Sequence, residues 1–251
     1  MASPDHTLAA LFGPHSAPLG AHSHPCSYLP GLTATDEAWL STAVNPAAYH
    51  ELMNRGFRRS GHILYRPVCE ACQACVPIRI PAATFALSRS QRRNLRRNRD
   101  VQVSVGMPEL TQEKFDVYRR YLRHQHNDSN QGDDADSLRE FLYSSCVRTL
   151  EFEYRDARGA LLGVSIADFS RQSLSSVYHF FEPAHARRGI GVYSVLREIE
   201  WCRAGGVPWY YLGYWVQGCR TMEYKSRYRP CELLIDGRWQ VQGDSQVRNH
   251  P

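Results

Sequence analysis

The feature that most constrains the fold is a change of apolar period at Leu150, after which every second residue is apolar. This alternation is typical of a half-buried strand, and a turn-forming segment at 156–159 makes a hairpin with the next apolar run. The elements predicted after the first strand are, in chain order, strand 161–169, strand 175–181, a helix carrying Val192, Val195, Leu196 and Ile199 that ends at Gly205 and Gly206, and strand 209–216. Hairpin, strand, helix and strand in this order predict an α/β sheet of mixed direction.

Changes of composition divide the chain into four predicted regions. These are a loose lead-in at 1–23, an N-terminal region with the cysteines and an arginine run at 24–105, an α/β domain at 106–242, and a flexible tail at 243–251. A helix-like stretch runs from Trp39 to Met53, and another helix is predicted at 111–124. Ser137 and Glu140 form a capping-box pattern that predicts a further helix start.

The overall composition, 43% hydrophobic and 22% charged in 251 residues, describes an ordinary globular chain of one or two domains. No window holds the roughly 18 uncharged apolar residues of a membrane span, and the first residues lack the basic start of a secretory signal. We therefore expect a cytosolic protein with no membrane partner. The net charge of +5 permits a nucleic-acid partner, which the distribution of that charge must decide.

Three of the eight cysteines stand in one short run, Cys69-x2-Cys72-x2-Cys75, and Cys26 lies upstream as a fourth. In a reducing compartment this spacing indicates a metal site or a reactive thiol, and thiolate ligands favour zinc or an iron–sulfur cluster. The alternative is a group of buried free thiols, which are common in proteins. The remaining cysteines, which occur singly and are predicted to be core residues, are Cys146, Cys202, Cys219 and Cys231.

An arginine run forms the second unusual cluster. It contains six arginines in eleven residues: Arg89, Arg92, Arg93, Arg96, Arg97 and Arg99. In a helix most of these side chains would lie along one side and make a positive stripe that a phosphate backbone could follow. We predict RNA or another polyanion as the partner, with a solvated or protein-binding face as the alternative.

Arg58, Arg59 and Lys225 stand among aromatic and small polar residues. A guanidinium group offers a planar fork for a carboxylate, and a lysine offers a compact charge for a developing oxyanion or a phosphate. The alternative is that these residues form salt bridges that close the packing between the two main regions.

Five motifs occur in an order that resembles one protein family. They are Cys26-Ser-Tyr-Leu-Pro30, Gly56-Phe-Arg-Arg-Ser-Gly61, Tyr65-Arg-Pro-Val-Cys69-Glu-Ala-Cys72-Gln-Ala-Cys75-Val-Pro-Ile-Arg79, Tyr211-Leu-Gly-Tyr-Trp215 and Met222-Glu-Tyr-Lys225. Together they resemble the bacterial aspartate/glutamate leucyltransferases of the arginyl-tRNA–protein transferase family, from about residue 24 to residue 240.

The resemblance implies a GNAT-like catalytic half, an aminoacyl-tRNA donor, and acceptor proteins that begin with Asp or Glu and are marked for N-degron degradation. The donor would be Leu-tRNA in the bacterial branch, whereas eukaryotic relatives transfer arginine. It also implies that Arg58 and Arg59 bind the acceptor and that the arginine run binds tRNA. An iron–sulfur cluster of relatives maps onto Cys26, Cys69, Cys72 and Cys75, although this chain has Cys-Ser-Tyr-Leu where some relatives have paired cysteines.

The implied reaction needs little from the protein, because an aminoacyl ester is activated and the attacking α-amine has an ordinary pKa of about 7.7 to 8.0. Neither a strong base nor a cofactor is required, since positioning and oxyanion donors can supply most of the acceleration. The predicted donors are Tyr178, Tyr214, Tyr224 and Lys225. The groups predicted to assist as a base are Asp168, Glu182 and His126.

Three alternative functions remain at this point. The first is the same reaction with Arg-tRNA, and the second is a coenzyme A dependent N-acetyltransferase. Ala186 begins the segment Ala186-Arg-Arg-Gly189-Ile-Gly191, where an acetyltransferase loop usually has Arg or Gln, which argues against the second. The third is a non-enzymatic, metal-linked RNA-binding module, which would leave the Tyr-rich strand and Met222-Glu-Tyr-Lys225 without a purpose.

Overall fold

The computed structural model describes residues 6–126 and 134–243. Its helices are α1 His6–Phe12, α2 Pro46–Asn54, α3 Arg89–Arg97, α4 Gln112–His126, α5 Ala135–Leu138, α6 Ile190–Ala204 and α7 Arg220–Glu223. Its strands are β1 Ser16–Pro25, β2 Thr33–Ser41, β3 Arg58–Ser60, β4 Ile63–Pro67, β5 Val76–Pro81, β6 Gln102–Gly106, β7 Thr149–Arg155, β8 Leu161–Ser170, β9 Ser173–Phe181, β10 Trp209–Trp215, β11 Glu232–Ile235 and β12 Arg238–Val241.

The smaller sheet is antiparallel, has the strand order β1-β2-β4-β3, and belongs to the N-terminal region. Residues 6–23, part of the predicted loose lead-in, instead form α1 and most of β1. The reason is tertiary, because the ring of Phe12 stacks on Trp39 at 4.1 Å between centroids. Trp39 itself lies in β2, so the helix predicted to run from Trp39 begins only at Pro46, where the side chain of Asn45 caps it.

The larger sheet has eight strands in the order β12-β11-β5-β10-β9-β8-β7-β6. Only β9 and β10 pair in parallel, and the other neighbours are antiparallel. The predicted mixed α/β fold with flanking helices and a cysteine-containing N-terminal region is confirmed. Its hairpin, third strand, helix and fourth strand correspond to β7 to β10 with α6.

Helices cover both faces of the larger sheet. Helix α6 buries Tyr193, Leu196 and Ile199 in the main core, and α4 buries Val117 and Tyr118 against the opposite face. The boundary at 105/106 stays a prediction, although β5 from the N-terminal region pairs with both β10 and β11. In the part of the chain that the structure describes, no helix has the length and apolar character needed to cross a bilayer.

The helix predicted to open at Ser137 begins earlier. Asp134 is its N-cap, and its carboxylate accepts the backbone N–H of Ser137 at 2.8 Å. A carboxylate and a hydroxyl both suit an N-cap, so the local pattern alone does not distinguish the two starting points.

Candidate active site

The clearest cleft lies where β9 and β10 part. Their parallel pairing ends at Tyr211 and Ser175, and a cavity of about 560 Å³ opens between the strands beyond that point. The N-terminal end of α6 and the segment carrying Lys225 close its other sides. Cavities at the point where neighbouring strands separate are common binding sites in α/β proteins.

Lys225 is the buried cation of this cavity. Its Nζ donates a hydrogen bond to the backbone carbonyl of Tyr214 at 2.9 Å. That carbonyl follows an irregularity in β10 between Tyr211 and Tyr214, where Gly213 has a φ of +80°. A Cβ on Gly213 would stand 3.4 Å from the Nζ of Lys225, so glycine both allows the backbone turn and leaves room for the ammonium group.

Burial, together with the positive charge of Arg58, lowers the pKa of Lys225 to about 7. Arg58 is itself buried, donating to the carbonyls of Phe57 at 2.6 Å and Gly213 at 3.0 Å. Its guanidinium lies 5.2 Å from the ring centroid of Tyr214. The Nε of Arg58 is buried and has no hydrogen-bond partner within the described residues.

Arg59 and Asp168, two predicted site residues, are paired with each other. The Nε of Arg59 lies 2.8 Å from the Oδ2 of Asp168, and both side chains are 0% exposed. Tyr49 and Thr149 each donate to the same carboxylate at 2.8 Å. The contacts join β3 to β8, so Arg59 forms the salt bridge between the two main regions that was the alternative to acceptor binding. The Nη2 of Arg59 is buried without a partner in the described chain, and Arg59 lines the cavity.

The three predicted tyrosines all line the cavity but differ in their hydroxyl contacts. Tyr214 donates to the carbonyl of Gly56 at 2.7 Å. For the hydroxyls of Tyr178 and Tyr224, no partner is found among residues 6–126 and 134–243. Burial raises the pKa of Tyr178, and it raises the pKa of Tyr224 to about 12, so both stay protonated donors at neutral pH.

Of the other two predicted bases, Glu182 does not line this cavity. Glu182 caps the turn that begins at Pro183, and its carboxylate pairs with Arg120 at 2.7 Å. His126 ends α4, and its side chain lies outside the described residues.

The arginine run forms helix α3, as expected for a stripe of positive charge. Ser88 and Gln91 make a reciprocal capping box at its start. The predicted tRNA-binding side chains Arg89, Arg92, Arg93, Arg96, Arg97 and Arg99 are all exposed. The opposite side docks through Asn94, whose Nδ2 donates to the carbonyl of Gly189 at 3.0 Å. Since Gly189 lines the cavity, the basic surface begins at its rim.

The four predicted metal-ligating cysteines line a second, larger cavity of about 1350 Å³. Burial, together with the neighbouring thiols, raises the pKa of Cys75 to about 12. Cys26 and Cys69 accept backbone N–H groups at 3.4 Å. Across the described ranges, no three His, Cys, Asp or Glu side chains converge in a way that could hold a metal ion. As arranged here, the thiols do not fit a metal ion or a cluster.

The two cavities share a wall. Five residues line both of them: Tyr28, Arg59, Tyr65, Val177 and Tyr214. A change to any of these residues therefore affects both cavities.

Sequence reasoning missed a buried polar network behind the smaller cavity. His179 lines the cavity, and Glu198 lies fully buried behind it on α6. A glutamate on the apolar side of a helix was the one available signal for Glu198. Tyr178 was predicted as a site residue, but no local sequence pattern marks the neighbouring His179 as one.

Comparisons with known proteins agree with this organisation. The family model described as Arginine-tRNA-protein transferase, N terminus, matches residues 24–93, and the model for the C terminus matches residues 113–235. The aspartate/glutamate leucyltransferase of Saccharophagus degradans is 41% identical over 219 residues, which cover 86% of this chain and 92% of that protein. The enzyme of the same name from Pseudomonas putida strain W619 is 44% identical over 222 residues, with the same coverage.

Solved structures are more distant. A GNAT family acetyltransferase from Brucella melitensis, in complex with acetyl-CoA, is 16% identical and covers 57% of this chain and 94% of its own, with a TM-score of 0.34. L-PGS from Bacillus licheniformis is 12% identical and covers 67% of this chain and 49% of its own, with a TM-score of 0.41. The sequence relatives, which match over nearly their whole length, therefore carry the family assignment.

Proposed function

The chain belongs to the arginine-tRNA–protein transferase family, and from that membership we propose that it transfers leucine from Leu-tRNA to the N-terminal Asp or Glu of acceptor proteins. The leucine and the acidic acceptor follow from the names of the relatives, which are aspartate/glutamate leucyltransferases. The transfer takes place in the cytoplasm, where aminoacyl-tRNA is made, and marks the acceptor for N-degron degradation.

The observation that carries the proposal is the pair of arginines at the cavity. Arg58 and Arg59 are both buried, and each keeps one N–H group without a partner among the described residues, Nε in Arg58 and Nη2 in Arg59. Leaving a buried donor unpaired costs about 1–3 kcal/mol, more for a charged group. An acidic side chain of the acceptor would accept from these donors, because a carboxylate offers two oxygens to guanidinium N–H groups.

In this proposal the Arg59–Asp168 pair positions the acceptor site. Asp168 holds the guanidinium through Nε, so Nη2 stays available on the side that lines the cavity. Asp168 is then a positioning residue and not a base, because its oxygens are occupied by Arg59, Tyr49 and Thr149.

The donor tRNA would lie along α3, with its aminoacylated end reaching into the cavity past Gly189. The exposed arginines of α3 supply charge for the phosphates, and the docked position of the helix sets the direction of approach. Phosphate contacts of this kind position a nucleic acid without reading its sequence.

The transfer itself is attack of the acceptor α-amine on the aminoacyl ester. The new C–N bond forms, the ester C–O bond breaks, and the ribose oxygen leaves with a proton. Lys225, when protonated, would stabilise the oxyanion of the tetrahedral intermediate, with the hydroxyls of Tyr178 and Tyr224 as further donors.

The test is a transfer assay with peptides that differ only in the first residue, Asp or Asn. Each peptide is incubated with radiolabelled Leu-tRNA, Arg-tRNA or acetyl coenzyme A. We expect label on the Asp peptide from Leu-tRNA and little on the Asn peptide, which has the same shape without the charge. Transfer from Arg-tRNA alone would overturn the leucine donor, and transfer from acetyl coenzyme A alone would overturn the reaction class.

A further inference from the structure

His179 lies on β9 with its imidazole ring buried at the edge of the smaller cavity. Its Nδ1 is 2.9 Å from the Oγ of Ser165, whereas its Nε2 has no hydrogen-bond partner in the described chain. Two glycines surround the ring: a Cβ on Gly163 would stand 3.3 Å from its Cε1, and a Cβ on Gly191 would stand 3.7 Å from its Cδ2. The two glycines leave room for the ring, and the Ser165 contact orients it, with one nitrogen unpaired within the described residues.

A continuous line of hydrogen bonds connects this ring to a buried carboxylate. Ser165 donates to the Oη of Tyr154 at 3.4 Å, and Tyr154 donates to the Oε1 of Glu198 at 3.1 Å. Tyr210 donates to the other carboxylate oxygen of Glu198 at 2.8 Å. The line runs from β9 through β8 and β7 to α6.

The direction of these bonds determines the tautomer of His179. Glu198 only accepts when it is ionised, so Tyr154 gives its proton to Glu198 and accepts from Ser165. Ser165 then has no proton left for His179 and must accept one from Nδ1. Nδ1 therefore carries the hydrogen, and Nε2 keeps a lone pair as a hydrogen-bond acceptor beside Gly191, which lines the cavity.

Resting on the transfer reaction proposed above, we propose that His179 is a catalytic base that takes a proton from the acceptor amine. A second proton is then relayed from His179 through Ser165 and Tyr154 to Glu198. As the C–N bond forms, the amine proton moves to Nε2. The Nδ1 proton moves to Ser165, the Ser165 proton to Tyr154, and the Tyr154 proton to Glu198. The result is a neutral His179 in its other tautomer and a protonated Glu198.

The same line returns the proton when the ester bond breaks. Nε2 gives its proton to the leaving ribose oxygen, and the proton on Glu198 travels back through Tyr154 and Ser165 to Nδ1. One proton has moved from the amine to the ribose hydroxyl, and both side chains are back in their starting forms. No co-reactant is needed.

The pKa values of His179 and Glu198 suit the roles proposed for them. Burial lowers the pKa of His179 to about 4, against a smaller opposing effect of the Val164 carbonyl, so the ring cannot store a charge at neutral pH. Burial raises the pKa of Glu198 to about 7, where a proton can be held and released. The titratable and polar groups that face Glu198 are Tyr154 on β7, Ser165 on β8, Tyr210 on β10, Tyr224 and Tyr228 after α7, and Cys202 on its own helix.

The first experiment compares wild type with Glu198→Gln and Ser165→Ala across pH 5.5–9, with saturating Leu-tRNA and Asp peptide. We expect kcat to fall about 100-fold in both variants, with KM for both substrates within about twofold, because proton transfer contributes about 10²–10⁴ and binding is not involved. The rise of kcat near pH 7 in wild type should be shallower in Glu198→Gln. Ser170→Ala, a buried serine of the same strand outside the line, is the matched control and should keep the wild-type kcat and profile.

A second readout does not depend on activity. Nitrogen NMR of selectively labelled histidine at pH 7 should show His179 neutral, with the proton on Nδ1, in wild type. A proton on Nε2, or a kcat and pH profile in both variants equal to those of wild type, would overturn the relay. Wild type that transfers no amino acid would overturn the proposed function and the relay with it, whereas active wild type with unaffected variants would overturn the relay alone.

Discussion

The two cavities that meet at Tyr28, Tyr65 and Tyr214 differ in how their polar groups are held. The larger one, next to the N-terminal sheet, is lined by half-buried thiols and by a partly exposed pair, His24 and Asp36, at 2.9 Å. The smaller one, between β9 and β10, is lined in part by buried side chains, and buried nitrogens of Arg58, Arg59 and His179 have no hydrogen-bond partner among the described residues.

The difference shows why volume is a poor guide to chemistry. Buried groups without partners cost free energy of folding, and the unpaired nitrogens of Arg58, Arg59 and His179 belong to side chains that line one cavity, which has less than half the volume of the other. Desolvation also moves the pKa of Lys225 towards neutrality, where it is useful for catalysis. In the proposed reaction, the smaller cavity supplies the reacting groups.

The largest expected effect concerns the wall between the cavities. Asp168→Asn should lower the free energy of unfolding by about 3–5 kcal/mol, because it leaves the charge of Arg59 buried without its partner. The double variant Arg59→Met with Asp168→Leu should recover most of that loss while abolishing Asp-peptide binding. Urea titration gives the stabilities. An unchanged free energy of unfolding in Asp168→Asn would show that the Arg59–Asp168 ion pair does not stabilise the wall between the cavities.

The second prediction concerns Lys225 and tests whether the smaller cavity holds the chemistry. Lys225→Met should lower kcat about 100-fold or more, as expected when an oxyanion donor is lost. It should not lower the stability at pH 7 or below, because the methionine removes a buried ammonium group.

The same variant has a stability signature that depends on pH. Between the folded pKa of about 7 and the ordinary lysine value of about 10.4, unfolded wild type binds more protons than folded wild type. Wild type therefore gains stability as pH rises through that window. The excess in free energy of unfolding of Lys225→Met over wild type should shrink accordingly. Chemical denaturation at pH 7 and pH 9.5 measures the free energies of unfolding of wild type and of the variant. If the difference between the two proteins is the same at both pH values, the pKa of Lys225 is not lowered.

The third prediction separates acceptor binding from donor binding. Arg58→Lys keeps the charge but loses Nε, so KM for the Asp peptide should rise about tenfold or more. KM for Leu-tRNA should not change. Steady-state kinetics with each substrate varied in turn provides the measurement, and a rise in KM for Leu-tRNA alone would place Arg58 on the donor side.

The fourth prediction concerns the exposed charge of α3. Replacing Arg92, Arg93 and Arg96 with alanine should weaken Leu-tRNA binding about tenfold and reduce the slope of log K against log salt by about one for each phosphate that is no longer neutralised. Arg158→Ala, in the β7–β8 turn, is the matched control and should leave both unchanged. Filter binding at several salt concentrations gives the slope. An unchanged slope in the triple variant would favour the protein-binding alternative.

The last prediction concerns a modification rate in the larger cavity, not catalysis or stability. Cys75 should be alkylated by iodoacetamide at pH 8 more slowly than an ordinary exposed cysteine by about tenfold or more, because burial keeps its thiol protonated. Timed alkylation followed by peptide mass spectrometry measures the rate. Fast reaction at Cys75 would show that the larger cavity holds an activated group after all.

Much of the fold could be predicted from local pattern. The alternation that begins at Leu150 and the helical spacing through Ile199 correspond to β7 and α6, because each pattern reports which side of one element is buried. The arginines of α3 are exposed, as their spacing along one side of a helix predicted. The start of the chain did not, since α1 and β1 are held by contacts with residues such as Trp39.

The sequence by itself determined the family, the order of elements in the larger sheet from β7 to β10, and the residue types available for catalysis. Only the tertiary structure decided which of those residues meet. Arg59 and Asp168 are 109 positions apart, and Tyr154 and Glu198 are 44 positions apart. Periodicity describes one element at a time, whereas an ion pair or a proton relay depends on strand order and register, which bring distant residues into contact.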